Sequence, residues 1–216
     1  MINQRIKDII FYLVGSYSCI AYPFLKLRFN NSNPLYLHIG SGKNRIKEFI
    51  NIDGNPLADK DLLFDVRLKL PFEESSANII YTSNTLEHFY IGEALSILRE
   101  FYRVLNKEGI LRIVVPDLGK SVHAYMDKNH DFFSDFPHEF KSIGGRFSNF
   151  LFCDGQHKMA FDLDFLKELL VATGFDRSRI SRMSFGESLM DSVIYDSINP
   201  LEEIFKDNNL FIEAVK

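Results

Sequence analysis

A chain of 216 residues, 46% of them hydrophobic, can bury a substantial core, which excludes a disordered chain and favours one domain with an appended segment. Its 25 lysines and arginines against 29 aspartates and glutamates leave a net charge of -4, so there is no basic surplus to neutralise a phosphate backbone and no nucleic-acid partner is expected. Two cysteines, Cys19 and Cys153, are too few for a disulfide framework and lack metal-ligand spacing, as in a cytoplasmic protein.

The first informative stretch runs from Ile9 to Leu25. It is mostly apolar, follows Arg5 and Lys7, and carries Phe11, Tyr12, Tyr17, Tyr22 and Phe24. Gly15, Ser16, Ser18 and Pro23 break it into runs shorter than the ~18 residues a membrane span wants. It reads as a helix packed on the domain, with peripheral contact at the inner face of a membrane, through residues 9 to 25, as the sharper alternative. Asn30 to Pro34 reads as a linker, so residues 1–34 form an N-terminal helical segment and residues 35–216 the main domain.

Leu35 to Gly42, an apolar strand ending in Gly-Ser-Gly, resembles the start of a nucleotide pocket, because glycines let the backbone turn sharply and approach a ligand. Lys43 to Glu48 is too short for a crossover helix. Phe49 to Asp53, Leu62 to Val66 and Asn78 to Thr82 read as the second to fourth strands. From Ile91 to Leu105 apolar residues recur at three- and four-residue intervals, the period of an amphipathic helix. Ile110 to Val115 is a fifth strand, interrupted only by Arg112, and Pro116-Asp117 ends it. Residues 127–160 lack clear periodicity, hold many phenylalanines and three histidines, and read as a lid-like insertion. Asp162 or Asp164 caps a further helix that Gly174 stops. Ile180 to Phe185 and Leu210 to Val215 are closing strands. Alternating strands and helices make a doubly wound α/β sheet, whose ligands bind beyond the carboxyl ends of the strands.

Several motifs in order carry a family resemblance: Leu-His-Ile-Gly-Ser-Gly, Phe-Ile-Asn-Ile-Asp, Thr-Leu-Glu-His, Arg-Val-Leu-Asn-Lys-Glu-Gly, Ile-Val-Val-Pro-Asp-Leu and the closing Leu-Phe-Ile-Glu-Ala-Val-Lys. The chain resembles the class I S-adenosylmethionine-dependent methyltransferases, especially the small type 11-like group often tied to surface-polysaccharide or lipid-sugar pathways. The resemblance implies a Rossmann-like sheet of seven strands with the last antiparallel, S-adenosylmethionine as cofactor, and a small-molecule or saccharide-linked acceptor, methylated at oxygen.

It also implies a set of contacts. His38, Gly40, Ser41 and Gly42 would pass the methionine part of the cofactor, offering backbone N–H groups to its carboxylate. Asp53, followed by Gly54, can accept two hydrogen bonds from the ribose hydroxyls; its plain alternative is a turn-forming aspartate. Asp65 and Val66 would meet the adenine, and Ser83, Asn84 and His88 the reactive end. Glu87 and His88 resemble a metal-binding pair of some quinone-pathway methyltransferases, but with no further carboxylate nearby they read as a hydrogen-bond network at a helix start, and no metal is expected. For a base, His157 has an imidazole suited to neutral pH, and Asp117 leaves the fifth strand beside the pocket.

The rivals are an NAD-binding protein, disfavoured because Arg45 stands where a third glycine is wanted, a nucleic-acid amino-methyltransferase, which would want an Asp/Asn-Pro-Pro-aromatic run after the fourth strand, and a non-catalytic cofactor-binding protein. The sequence does not reveal the oligomeric state.

Overall fold

A computed structural model describes residues 4–29 and 34–216. The linker reading therefore lies, but for Pro34, outside the described residues. In chain order the regular elements are α1 (Gln4–Phe29), β1 (Tyr36–Ile39), β2 (Ile50–Asp53), β3 (Leu62–Leu63), β4 (Ala77–Ser83), α2 (Ile91–Val104), β5 (Leu105–Pro116), α3 (Leu118–Met126), α4 (Ile143–Phe152), α5 (Leu163–Ala172), β6 (Ile180–Met183), α6 (Ser192–Glu203) and β7 (Asn209–Val215).

The strands form one seven-stranded sheet in the order β3-β2-β1-β4-β5-β7-β6. Pairs from β3 through β5 are parallel, and β7 runs antiparallel to both β5 and β6. The strand order reverses between β1 and β4, which opens a crevice beyond their carboxyl ends.

Strand periodicity distributes the core over two faces. In β5, Leu111, Ile113 and Val115 join one cluster with Leu98 and Phe101 of α2 and Leu166 and Leu170 of α5. Val114, one position out of phase, joins the opposite cluster with Tyr195 and Ile198 of α6. Arg112 shares that second face. Its guanidinium is fully buried between Glu202 and Glu213, with Nε 2.6 Å from Glu202 Oε1 and Nη1 2.8 Å from Glu213 Oε1. Burial opposes its charge, but the Glu202 hydrogen bonds and both carboxylates outweigh it and hold the group above its usual range.

Several elements differ from the sequence expectation. The third strand is two residues long, because Asp65 and Val66 leave the sheet for the crevice wall. The region read as a lid contains α4, capped by Ser142, whose hydroxyl accepts from the Gly145 N–H. α3 and α6 went unread. α1 is a continuous helix through Pro23.

Candidate active site

β1 delivers the chain into a turn where Gly40 and Gly42 have φ of +73° and +55°, a region costly for other residues. A Cβ on Gly40 would come within 2.1 Å of the Thr85 side chain, whereas one on Gly42 would meet nothing within 4 Å. The backbone at Gly42 is thus bare toward open space. The expected offer of N–H groups is not what the turn makes: Gly40 N and Ser41 N both donate to Ile52 O, at 2.9 and 3.2 Å, and Gly42 N donates to Asp53 Oδ2 at 2.7 Å. These donors pin the turn to the end of β2. Its contribution is close approach.

Around this turn lies a cavity of about 490 Å³ that brings together Gly40, Gly42, Asp53, Gly54, Asp65, Val66, Asn84 and His88. Asp53 accepts a second bond from Asn55 N at 2.6 Å; a carboxylate with about four lone-pair sites keeps capacity for two more. Asp65 is held by Arg67, whose Nε and Nη2 reach its two oxygens at 2.9 and 2.8 Å. Arg67 continues to Glu93 Oε1 at 3.3 Å. A bare glycine backbone, a carboxylate with spare acceptors and a second carboxylate in the wall fit a nucleoside with a zwitterionic tail.

Four expected residues lie elsewhere. His38 is buried, its Nδ1 3.0 Å from Asn51 Oδ1 and its ring 5.1 Å from that of Tyr81; burial pushes its pKa down to about 4. Its side chain ties neighbouring strands together. Ser41 is buried beneath the turn, its hydroxyl 3.5 Å from Asp59 O. The Ser83 hydroxyl accepts from Asn84 Nδ2 at 3.2 Å, and Thr85 takes its place in the wall. Asp117 caps α3, accepting from Lys120 N at 3.1 Å, and stands 3.4 Å from Arg182 Nη2. It lines a separate cleft of about 540 Å³ with Lys120, His123 and Arg182. A helix that starts directly after β5 needs a cap, and Asp117 supplies it.

His157 does approach the cavity. Its ring lies edge-on to that of His88 at 5.1 Å. Burial, with His88 beside it, pushes its pKa down to about 4, so the expected match to neutral pH is absent: the imidazole is uncharged and weakly basic. Glu87 is buried, and burial pushes its carboxyl up to about 8. Neither of its side-chain oxygens has a hydrogen-bond partner among the described residues, so the carboxyl stands outside the hydrogen bonds that the Glu87 carbonyl and the His88 ring make at this helix start.

The sequence reading missed a wall. Ile10 of α1 lines the cavity, the Ser18 hydroxyl accepts from Asp65 N at 3.0 Å, and a Cβ on Gly15 would lie 3.3 Å from Asp65 Oδ2. The small residues that break the apolar run are the ones that let α1 sit against Asp65. Tyr90, Glu93 and Lys158 were also missed. One signal was readable: Glu93 stands three residues after Tyr90 and accepts its N–H at 3.0 Å, a reciprocal helix-start pattern.

Residues 44–113 match the family model of a methyltransferase domain. No curated protein matches the chain. Among solved structures it is similar to an S-adenosylmethionine-dependent methyltransferase from Archaeoglobus fulgidus, at 14% identity over 90% of this chain and 94% of that one, TM-score 0.55. It is also similar to one from Thermotoga maritima, at 14% identity over 97% and 95%, TM-score 0.52, and one from Mesorhizobium loti, at 15% identity over 91% and 97%, TM-score 0.51. At such identities the likeness is one of fold.

Proposed function

We propose that this chain is a class I S-adenosylmethionine-dependent methyltransferase, a reading supported by its fold and by the family-model match over residues 44–113, and that it methylates an oxygen of a small or saccharide-linked acceptor presented at a membrane surface. S-adenosylmethionine supplies an electrophilic methyl carbon, whose transfer asks for in-line positioning and desolvation more than for activation of the donor. In this reading Asp53 holds the ribose hydroxyls with its spare lone pairs. Asp65, fixed by Arg67, and Val66 meet the adenine, and the bare backbone at Gly42 admits the methionine chain. Asn84 and His88 stand at the reactive end.

The observation that carries the acceptor half is the two-sided character of α1. One face bears Ile10, Val14, Ser18 and Leu25 and packs on the cavity and core. The other bears Leu13, Tyr17, Ile20, Phe24 and Leu27, spaced by four, three, four and three residues, each 47–75% exposed. Lys26, which pairs with Glu73 at 3.1 Å, and Arg28 lie in the last turn, and Arg5 and Lys7 precede the stripe in the sequence. An exposed apolar stripe with basic ends suits an anionic lipid surface, as on a cytoplasmic leaflet. No helix among the described residues is long and apolar enough to cross a membrane. A helix that touches lipid on one face and forms the cavity wall on the other brings the reaction to acceptors carried on lipid, the chemistry of polysaccharide assembly. At the mouth, the exposed Tyr90 ring offers a face for a sugar.

The test is transfer of a labelled methyl group to vesicle extracts containing lipid-linked saccharides, compared with soluble sugars and amines. Label in an alkali-stable ether on the lipid-linked fraction is the expected result, and Ile20→Ser with Phe24→Ser should abolish vesicle flotation and this labelling while leaving cofactor affinity unchanged. Transfer confined to soluble amines, or flotation unaltered by the double substitution, would contradict it.

A further inference from the structure

The structure assigns a second site, which we propose binds one divalent first-row cation of the zinc class through Glu87, His88 and His157. A donor atom from each of the three lies within 4.8 Å of the other two. Zinc-to-ligand bonds of about 2.0–2.2 Å put tetrahedral ligands a little over 3 Å apart, so small side-chain rotations close the set. Glu87 is 1% exposed and neither carboxylate oxygen has a hydrogen-bond partner among the described residues. Unpaired buried carboxylates are costly, and a cation is the partner that meets both oxygens.

The backbone holds the three together. Glu87 O accepts from Lys158 N at 2.7 Å and Met159 N at 3.3 Å, which clamps the one-turn helix Leu86–His88 to the segment carrying His157. His88 Nδ1 lies 3.2 Å from Gln156 O and His157 Nδ1 lies 3.1 Å from Leu151 O. A carbonyl only accepts, so at both of these contacts Nδ1 is the donor. That arrangement, an imidazole oriented by a backbone carbonyl, is the one metal-binding histidines use. Two imidazoles and one carboxylate suit zinc-class ions; magnesium and calcium want oxygen donors. With three protein ligands a fourth position stays open, as in catalytic zinc sites. His88 also lines the cofactor cavity, which sets the site against the pocket without depending on what the pocket binds.

The test uses the full chain, stripped with chelator and titrated with Co²⁺ in the absence of any cofactor, reading the visible absorption of four-coordinate cobalt, followed by Zn²⁺ competition. One equivalent should bind saturably, Zn²⁺ should displace it, and Glu87→Gln and His157→Asn should each weaken binding by at least about tenfold. His157→Asn, a smaller change in a half-buried position, keeps the test decisive if Glu87→Gln misfolds. No saturable cobalt spectrum, or an unchanged titration in either variant that keeps the parent's circular dichroism, would overturn the proposal.

Discussion

At the scale of single residues, position along a strand proved a better guide than residue type. Asp53 ends β2 and Asp65 follows β3, and both reach the crevice, whereas Asp117 follows β5 into a helix and is consumed as its cap. Nothing in the Pro-Asp-Leu run distinguishes a capping aspartate from a catalytic one, because both need a carboxylate just before a helix. His38 shows the same limit: it stands two residues before Gly40, yet strand alternation turns it into the sheet. Burial holds its pKa near 4, against 6.5 for a free imidazole. A depressed histidine leaves stability intact above its unfolded pKa and withdraws it as pH falls through the folded value. The chain should therefore lose about 3 kcal/mol from this group between pH 6.5 and 4. His38→Gln, which keeps a bond to Asn51, should flatten that part of the curve in urea unfolding followed across pH. An unchanged slope would remove His38 as its source.

At the scale of elements, legibility followed apolar periodicity. α2 presents Ala94, Leu98 and Phe101 at helical spacing, and its bounds were read to within a residue. α6 was not read because its buried positions are Tyr195, Ile198 and Glu202, so the third anchor of its inner face is a charge. α3 buries Ser121 and Ala124, and α4 buries Asn149; the rings of α4 that pack, Phe147 and Phe150 against Phe133, sit in a run so rich in phenylalanine that no period stands out. Glu202 and the interruption at Arg112 are one feature, since each buried charge makes sense only with its partner, far away in the chain. Removing one side of such a pair leaves the other buried and under-compensated. Glu202→Gln should lower unfolding free energy by about 3 kcal/mol, read as a shift in the urea midpoint, and a change below about 1 kcal/mol would show the cluster to be unimportant to stability. α1 was legible as an apolar helix, but its role as a wall of the cavity was not: the contacts of Gly15 and Ser18 with Asp65 span almost fifty residues.

At the scale of the whole molecule, the seven strands and the antiparallel last strand matched the expectation from ordered motifs, because a parallel sheet covered on both faces writes itself as short apolar runs. The same logic left the floor of the pocket readable and its rim hidden. Gly40, Gly42, Asp53 and Asp65 belong to strand ends, whereas Ile10, Arg67, Tyr90 and Lys158 arrive from separate parts of the chain and meet only in the fold. Together these parts build the pocket that we read as the S-adenosylmethionine site. The most direct test of that reading is calorimetric titration of the full chain with S-adenosylmethionine and, separately, with NADH. One saturable site for S-adenosylmethionine is expected, weakened about 10- to 100-fold by Asp53→Ala through the lost charge-assisted bonds, with no binding of NADH. Saturable NADH binding without a response to S-adenosylmethionine would contradict it.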